Sequence, residues 1–136
     1  MENTQEDFPI KFKHTEIDAT PSNEKLFKID KSKPLDKTRA EKFHTTVAKG
    51  LFLCKRARPD IQPTNAALCT RTKNPNEGDW NKLIRLMKYL NGTRKLKLRL
   101  SCDNLNCIKH WVDVAFTVHL DFRSHTGSIR TLGRSH

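Results

Sequence analysis

Hydrophobic residues recur every three or four positions between residues 37 and 92, which is the spacing of amphipathic helices. The first predicted helix begins near Asp36, which is its N-cap, and the pattern ends at Pro59. Its apolar stripe consists of Ala40, Phe43, Val47, Leu51 and Cys54. Gly50 lies inside this helix and weakens it by about 1 kcal/mol relative to alanine.

Two more helices are predicted after this one. The second and shorter one runs from Gln62 or Pro63 to Thr70, and residues 71–76 form a loop. The third is capped by Asn76 or Asp79 and ends at Gly92. Its apolar stripe consists of Trp80, Leu83, Ile84, Met87 and Leu90.

The period then changes to two, which indicates half-buried strands. Strands are predicted at residues 96–100, Ile108 to Thr117 and Ser128 to Leu132. The fold class is therefore α+β, with a small module of about three helices followed by the strands of an incomplete sheet. We expect three parts: a polar linker with little packing capacity (1–35), a helical segment (36–95) and a β segment (96–136). A sheet left open at the end of the chain suggests a truncated domain.

The net charge of +11 is unevenly distributed. Residues 1–36 carry 6 Lys and Arg against 8 Asp and Glu, whereas residues 37–100 carry 16 against 4, a net charge of +12. A segment with this excess attracts polyanions through phosphate contacts and counterion release. The alternative is a solvated, lysine-rich helical face. Neither a secretory signal nor a long apolar run occurs, so a cytoplasmic or nuclear protein without membrane contact is expected.

Two groups of residues are candidates for other chemistry. Cys54 and Cys69 occur at helical spacing among apolar residues, which predicts buried free thiols. Cys102 and Cys107 are four residues apart, a spacing that does not favour zinc. Asp113 lies in an apolar strand, where a carboxylate is either a ligand for a divalent metal or simply on the solvent face. Asp103 and Asp121 are the only other acids after residue 100, too few for two-metal hydrolysis.

Several stretches resemble, in order and spacing, the polyprotein of copia-type retrotransposons. The most specific is Arg56-Ala57-Arg58-Pro59-Asp60-Ile61. The others are residues 35–37, 43–49, 51–55, 68–71, 79–83, 89–93, Trp111-Val112-Asp113 and 123–127. The resemblance covers roughly residues 20–134.

This resemblance implies that residues 36–93 correspond to the thumb and connection of a reverse transcriptase, which grip the template–primer duplex. It also implies that residues 108–136 correspond to the first strands of a ribonuclease H domain. Asp113 matches the first metal-binding aspartate of that family and would hold Mg²⁺ only in an intact parent enzyme. The basic residues expected to contact nucleic acid are Lys49, Lys55, Arg56, Arg58, Arg71, Lys73, Lys82, Arg85 and Lys88.

The chain also departs from the family. It lacks the Tyr-x-Asp-Asp motif of the polymerase palm, and the later ribonuclease H carboxylates would lie beyond His136. Gly50 and Asn65 both stand where the family has apolar residues. We therefore expect a retrotransposon fragment that binds nucleic acid but does not catalyse alone. Two alternatives remain: a domesticated RNA- or DNA-binding protein, and a truncated ribonuclease H that needs a partner chain, such as the rest of the polyprotein.

Overall fold

The structure is a computed structural model that describes residues 10, 16–99, 102, 105–115 and 124–132. The chain divides into two compact units, Met1–Leu96 and Lys97–His136. Within the described residues, the first unit contains three α-helices and the second contains two antiparallel strands. The predicted α+β class, with helices first and strands second, is thus confirmed.

Helix α1 (Lys37–Arg56) begins where the sequence predicts. The Asp36 carboxylate accepts a hydrogen bond from the Arg39 backbone N–H at 3.1 Å, which satisfies one of the free donors of the first turn. Phe43, Val47 and Cys54 are buried as predicted. Leu51 does not belong to the buried stripe, contrary to the prediction, since 38% of it is exposed.

Gly50 takes the inward position instead of Leu51. A Cβ at residue 50 would lie only 2.3 Å from the Asn65 Oδ1, so the absent side chain allows α1 to approach the second helix closely. Asn65 is fully buried, and its Nδ2 donates to the Val47 carbonyl oxygen at 3.2 Å. Gly50 and Asn65 therefore fit against each other.

A 3₁₀ turn (Pro59–Ile61) leads directly into helix α2 (Gln62–Cys69). Pro63 lies in the first turn of α2, where its missing N–H costs nothing. Ile61 and Leu68 are fully buried against the other helices. The second predicted helix is confirmed to within one residue at its end.

Helix α3 (Glu77–Gly92) has both of the predicted capping residues. The Asn76 side chain accepts from the Asp79 backbone N–H at 2.9 Å, and the Asp79 side chain accepts from the Asn76 N–H at 3.2 Å. This reciprocal capping box fixes the first turn. Leu83 and Met87 are buried as predicted, and Leu86 joins them although it lies off the predicted stripe.

The core of the first unit lies between these helices. Its buried residues are Phe43, Val47, Cys54, Ile61, Leu68, Leu83, Leu86, Met87 and Tyr89. Burying one such apolar side chain contributes about 1.5–3 kcal/mol. Cys54 and Cys69 are free thiols, buried and half-buried, and burial raises the pKa of each.

Residues 16–35, predicted to be a linker, lie along the helices. The Leu35 N–H donates to the Pro75 carbonyl oxygen at 3.0 Å, and Asn76 Nδ2 donates to the Asp30 carbonyl oxygen at 2.9 Å. Leu26 is buried. Most of these contacts are hydrogen bonds to backbone carbonyl oxygens. The pattern of hydrophobic residues along the sequence does not predict such bonds.

The second unit contains strands β1 (Ile108–Ala115) and β2 (His125–Leu132). They pair antiparallel, with Ile108 opposite Leu132 and Asp113 opposite Gly127. Both were predicted, although residues 116 and 117 lie outside the described part. The strand predicted at 96–100 is wrong for residues 96–99, which form no strand. Leu96 and Leu98 are 53% and 45% exposed, so their alternation reflects no buried face.

Candidate nucleic-acid interface

The outward face of α1 carries a regular row of cations. Lys42, Lys49 and Arg56 are spaced seven residues apart, which returns each to nearly the same side of a helix. All three are exposed, because the opposite side of α1 is buried in the core. Among the described residues, no carboxylate forms an ion pair with any of them. We call Lys42, Lys49, Phe52 and Arg56 the α1 basic face.

Phe52 is the aromatic member of this face. Its side chain is 67% exposed, and the Arg56 guanidinium carbon lies 5.3 Å from its ring centroid. An exposed ring beside cations offers a flat apolar surface next to phosphate-binding groups. Lys49 and Arg56 were predicted from the sequence, whereas Lys42 and Phe52 were not. Lys42 lies seven residues before Lys49, and Phe52 lies three residues after Lys49 and four before Arg56, spacings that place both on the same side of a helix.

Lys55 is also exposed and lies in the last turn of α1 with Arg56. Cations at this end of a helix are favoured by the helix dipole. Lys55 faces about 100° away from Arg56, so it extends the cationic surface around the helix.

Arg58, also predicted to contact nucleic acid, is instead buried, with only 7% exposed. Its Nε and Nη2 donate to the two Asp60 carboxylate oxygens at 2.9 and 2.8 Å. Nη1 and Nη2 also donate to the Thr93 carbonyl and hydroxyl oxygens at 3.1 and 2.7 Å. Arg58 therefore joins the end of α1 to the end of α3, and its donors are not available to a phosphate.

Asp60 is held in this network from both sides. The Tyr89 hydroxyl donates to Asp60 Oδ2 at 2.8 Å, and the Tyr89 ring centroid lies 5.4 Å from the Arg58 guanidinium carbon. Burial alone would raise the pKa of Asp60, but the hydrogen bonds from Arg58 and Tyr89 outweigh it and lower that pKa. Arg58 and Asp60, two residues of the block Arg56–Ile61, thus have a structural role here.

Two of the predicted residues, Arg71 and Lys73, lie in the loop before α3 but in different environments. Arg71 Nε donates to Asp79 Oδ2 at 3.0 Å, and Asp79 is almost completely buried. Arg71 therefore stabilises the capping box of α3. Lys73 is exposed to solvent in the same loop.

The last three predicted residues, Lys82, Arg85 and Lys88, lie three residues apart on α3 and form its basic face. Unlike the cations of α1, each is paired. Lys82 Nζ donates to the Lys28 carbonyl oxygen at 2.6 Å and lies 3.7 Å from Asp79 Oδ1. Arg85 Nη1 lies 3.8 Å from the Asp18 carboxylate, and Lys88 Nζ lies 3.5 Å from that of Glu16. The structure thus covers this face with the N-terminal segment.

Asp113 belongs to the second unit, where its side chain is exposed. Across the described residues, no three His, Cys, Asp or Glu side chains are grouped so that they could hold a metal ion. Those residues alone do not fit a Mg²⁺ site of the ribonuclease H type, which needs several carboxylates. A catalytic role for Asp113 stays a prediction.

Comparisons of this chain with known protein families, with curated proteins and with solved structures find no match. In the ranges that the structure describes, no helix combines the length and the apolar character needed to cross a membrane.

Proposed function

We propose that the helical unit binds nucleic acid through the phosphate backbone, with the α1 basic face as its main contact surface. In this proposal the chain is a segment of a copia-type reverse transcriptase polyprotein, corresponding to the thumb and connection, and it does not catalyse by itself. The sequence resemblance and the +12 charge of residues 37–100 support this assignment.

The observation that carries the proposal is the absence of ion pairs on the α1 basic face, among the described residues. A lysine or arginine already paired with a carboxylate must break that pair before it can bind a phosphate. Lys42, Lys49 and Arg56 have no such pair to break among the described residues. The three cations are about 10 Å apart along the axis of a 20-residue helix, so they can contact separate phosphates of one duplex.

Contacts of this kind are independent of base sequence and strongly dependent on salt. Each phosphate neutralised by a lysine or arginine releases condensed counterions, and the slope of log K against log salt changes by about −0.9 per contact on duplex DNA. Three contacts from the α1 basic face would give a slope of about −2.7. The exposed Phe52 ring adds an apolar contact that does not depend on salt.

The test is fluorescence anisotropy of the full chain with a labelled RNA–DNA hybrid at several salt concentrations. The variant Lys42→Gln/Lys49→Gln/Arg56→Gln should bind more than tenfold more weakly at low salt, and the magnitude of its salt slope should fall by about 2.7, the value for three phosphate contacts. The matched control is Lys25→Gln/Lys31→Gln/Lys33→Gln, which removes three exposed cations of the N-terminal segment. The control should keep most of the affinity and the wild-type slope.

Equal losses in the two triple variants would mean that net charge alone drives binding, and the α1 basic face would then have no special role. An unfolded variant is excluded by its circular dichroism, which should match that of the wild type, because all six residues are exposed.

A further inference from the structure

The N-terminal segment runs antiparallel along α3. Its oxygen atoms accept hydrogen bonds from residues at several positions between the start and the end of this helix. Glu16 contacts the C-terminal end of α3, where Asn91 Nδ2 donates to its carbonyl oxygen at 3.0 Å. Nearer the start of α3, the Gly78 N–H donates to the Ser32 hydroxyl at 3.0 Å. We call residues 16–20 the acidic arm, since its only charged residues are Glu16 and Asp18.

The acidic arm covers the C-terminal half of the α3 basic face with oxygen atoms. The Glu16 and Asp18 carboxylates face Lys88 and Arg85, and the Thr20 hydroxyl accepts from Arg85 Nη2 at 2.8 Å. Negative oxygen atoms placed along a row of lysine and arginine side chains have the same chemistry as the phosphates of a nucleic-acid strand.

The two ion pairs between the arm and α3 are long. The two carboxylate distances, 3.5 and 3.8 Å, are longer than the 2.7–2.9 Å typical of strong charge-assisted hydrogen bonds. Arg85 Nε is buried and has no hydrogen-bond partner among the described residues. Ion pairs this close to solvent are individually weak and are screened by salt.

The rest of the segment is held more firmly. Leu26 is buried, and the Glu77 N–H donates to the Lys33 carbonyl oxygen at 3.0 Å. These contacts join residues 26–35 to the helical unit through apolar packing and backbone hydrogen bonds, which a polyanion does not compete for. The arm has no buried side chain and is joined to α3 by two long ion pairs and by hydrogen bonds from Asn91 and Arg85. It can therefore leave α3 at lower cost than residues 26–35.

We propose that the acidic arm is an intramolecular competitor for nucleic acid on α3. The arm occupies Arg85 and Lys88 in the free protein, and phosphates of a bound strand replace its carboxylates, which makes the α3 basic face a second phosphate-binding surface. This inference rests on the proposed function, because the competitor is the same ligand that binds the α1 basic face.

The test uses the full chain, a labelled RNA–DNA hybrid and a charge-matched pair of variants. Glu16→Gln removes the carboxylate that faces Lys88. Glu24→Gln makes the same chemical change in the same segment, at an exposed residue for which the described structure has no ion pair. Glu16→Gln/Asp18→Asn neutralises the whole arm. The side chains of Glu16, Asp18 and Glu24 are all outside the core, so these variants should fold like the wild type.

We expect neutralisation of the arm to increase the affinity for nucleic acid by about two- to tenfold, which corresponds to the free energy of two weak surface ion pairs. Glu16→Gln should show part of this gain, and Glu24→Gln should bind like the wild type. The gain must also depend on α3. In the background Lys82→Gln/Arg85→Gln/Lys88→Gln, neutralising the arm should leave affinity unchanged, which a double-mutant cycle measures directly.

Three other results would overturn the proposal, and they are distinguishable. If the wild type binds and the arm variants bind no better than Glu24→Gln, the arm does not compete, while the role of the α1 basic face stands. If neither the wild type nor the arm variants show salt-dependent binding, the proposed function fails and this inference fails with it. A gain that persists without the α3 cations also contradicts competition on α3.

Discussion

Helices α1 and α3 carry similar rows of cations, yet the two rows are in opposite states. Lys42, Lys49 and Arg56 of α1 have no carboxylate partner among the described residues, whereas the three cations of α3 are all paired. The two helices belong to the same unit and both have one buried face. A count of positive charges therefore does not measure the surface that is available to a polyanion.

Three groups can be distinguished among the basic residues of this unit. Some are open to solvent on α1, some are neutralised by the acidic arm on α3, and some are used inside the fold. Arg58 and Arg71 belong to the last group. Arg39 does as well, since it pairs with Glu77 and its guanidinium carbon lies 4.7 Å from the Trp80 ring centroid.

The largest expected effect separates the internal cations from the open ones. Arg58→Ala leaves Asp60 without its cationic partner and Thr93 without its donor, and we expect it to lower the free energy of unfolding by about 3 kcal/mol. Arg56→Ala makes the same change two residues earlier, at an exposed position, and should cost less than about 1 kcal/mol. Urea unfolding followed by circular dichroism measures both. Similar costs for the two variants would contradict a structural role for Arg58.

A second prediction concerns the close contact between α1 and α2 at Gly50 and Asn65. Gly50→Ala places a Cβ against Asn65 Oδ1 and should destabilise the unit by about 1–3 kcal/mol. In an Asn65→Ala background the obstacle is gone, and the same substitution should stabilise the helix by up to about 1 kcal/mol. The reversal of sign is measured by a double-mutant cycle in urea. Additive effects would mean that the two residues do not touch.

A third prediction concerns pH. The pKa of the Asp60 carboxyl lies below its ordinary value of 3.8, because hydrogen bonds from Arg58 and Tyr89 outweigh burial. A carboxyl with a lowered pKa stabilises the fold above its ordinary value, and this stabilisation is lost as the pH falls through the lower, folded pKa. Thermal unfolding between pH 6 and pH 3 should therefore depend less on pH in Asp60→Asn than in the wild type.

The control for the pH experiment is Glu24→Gln, which removes an exposed carboxyl outside the network. Its dependence on pH should match that of the wild type. If thermal unfolding of Asp60→Asn depends on pH as strongly as that of the wild type, Arg58 and Tyr89 do not stabilise the Asp60 carboxylate.

The smallest expected effect compares single cations of the two faces. Lys49→Gln should weaken nucleic-acid binding and reduce the magnitude of the salt slope by about 0.9, the value for one phosphate contact. Lys88→Gln should change the slope by less, because Lys88 is already paired with Glu16. Anisotropy titrations at four salt concentrations resolve this difference. A larger effect at Lys88 than at Lys49 would reverse the assignment of the open and covered faces.

The helices could be predicted because their signals are local. The cap at Asp36, the capping box at Asn76 and Asp79, and the stripe through Phe43 and Val47 all lie within a few residues of the backbone they organise. The error at residues 96–99 has the same origin. Alternating leucines satisfy the local pattern of a strand, but a strand also needs a partner, which the pattern does not specify.

The candidate interface was predicted less well than the helices. Lys49, Lys55, Arg56 and Lys73 are exposed as expected, but Arg58 is buried. Lys42 and Phe52 were missed, although their helical spacing to Lys49 and Arg56, seven residues for Lys42 and three or four for Phe52, is visible in the sequence. The pairing of Arg85 and Lys88 was not visible, because nothing near these residues indicates that segment 16–20 lies against them.

The sequence by itself determined the order of the elements, the helix caps, most of the buried stripe and the excess of positive charge in residues 37–100, because each depends on residue type and short spacing. Only the tertiary structure decided which charges are free. Arg58 meets Thr93 across 35 residues, Arg85 meets Thr20 across 65, and Asn91 meets Glu16 across 75. A charge is neutralised by whatever the fold brings within a few ångströms of it, and that distance is set by the packing of the whole unit.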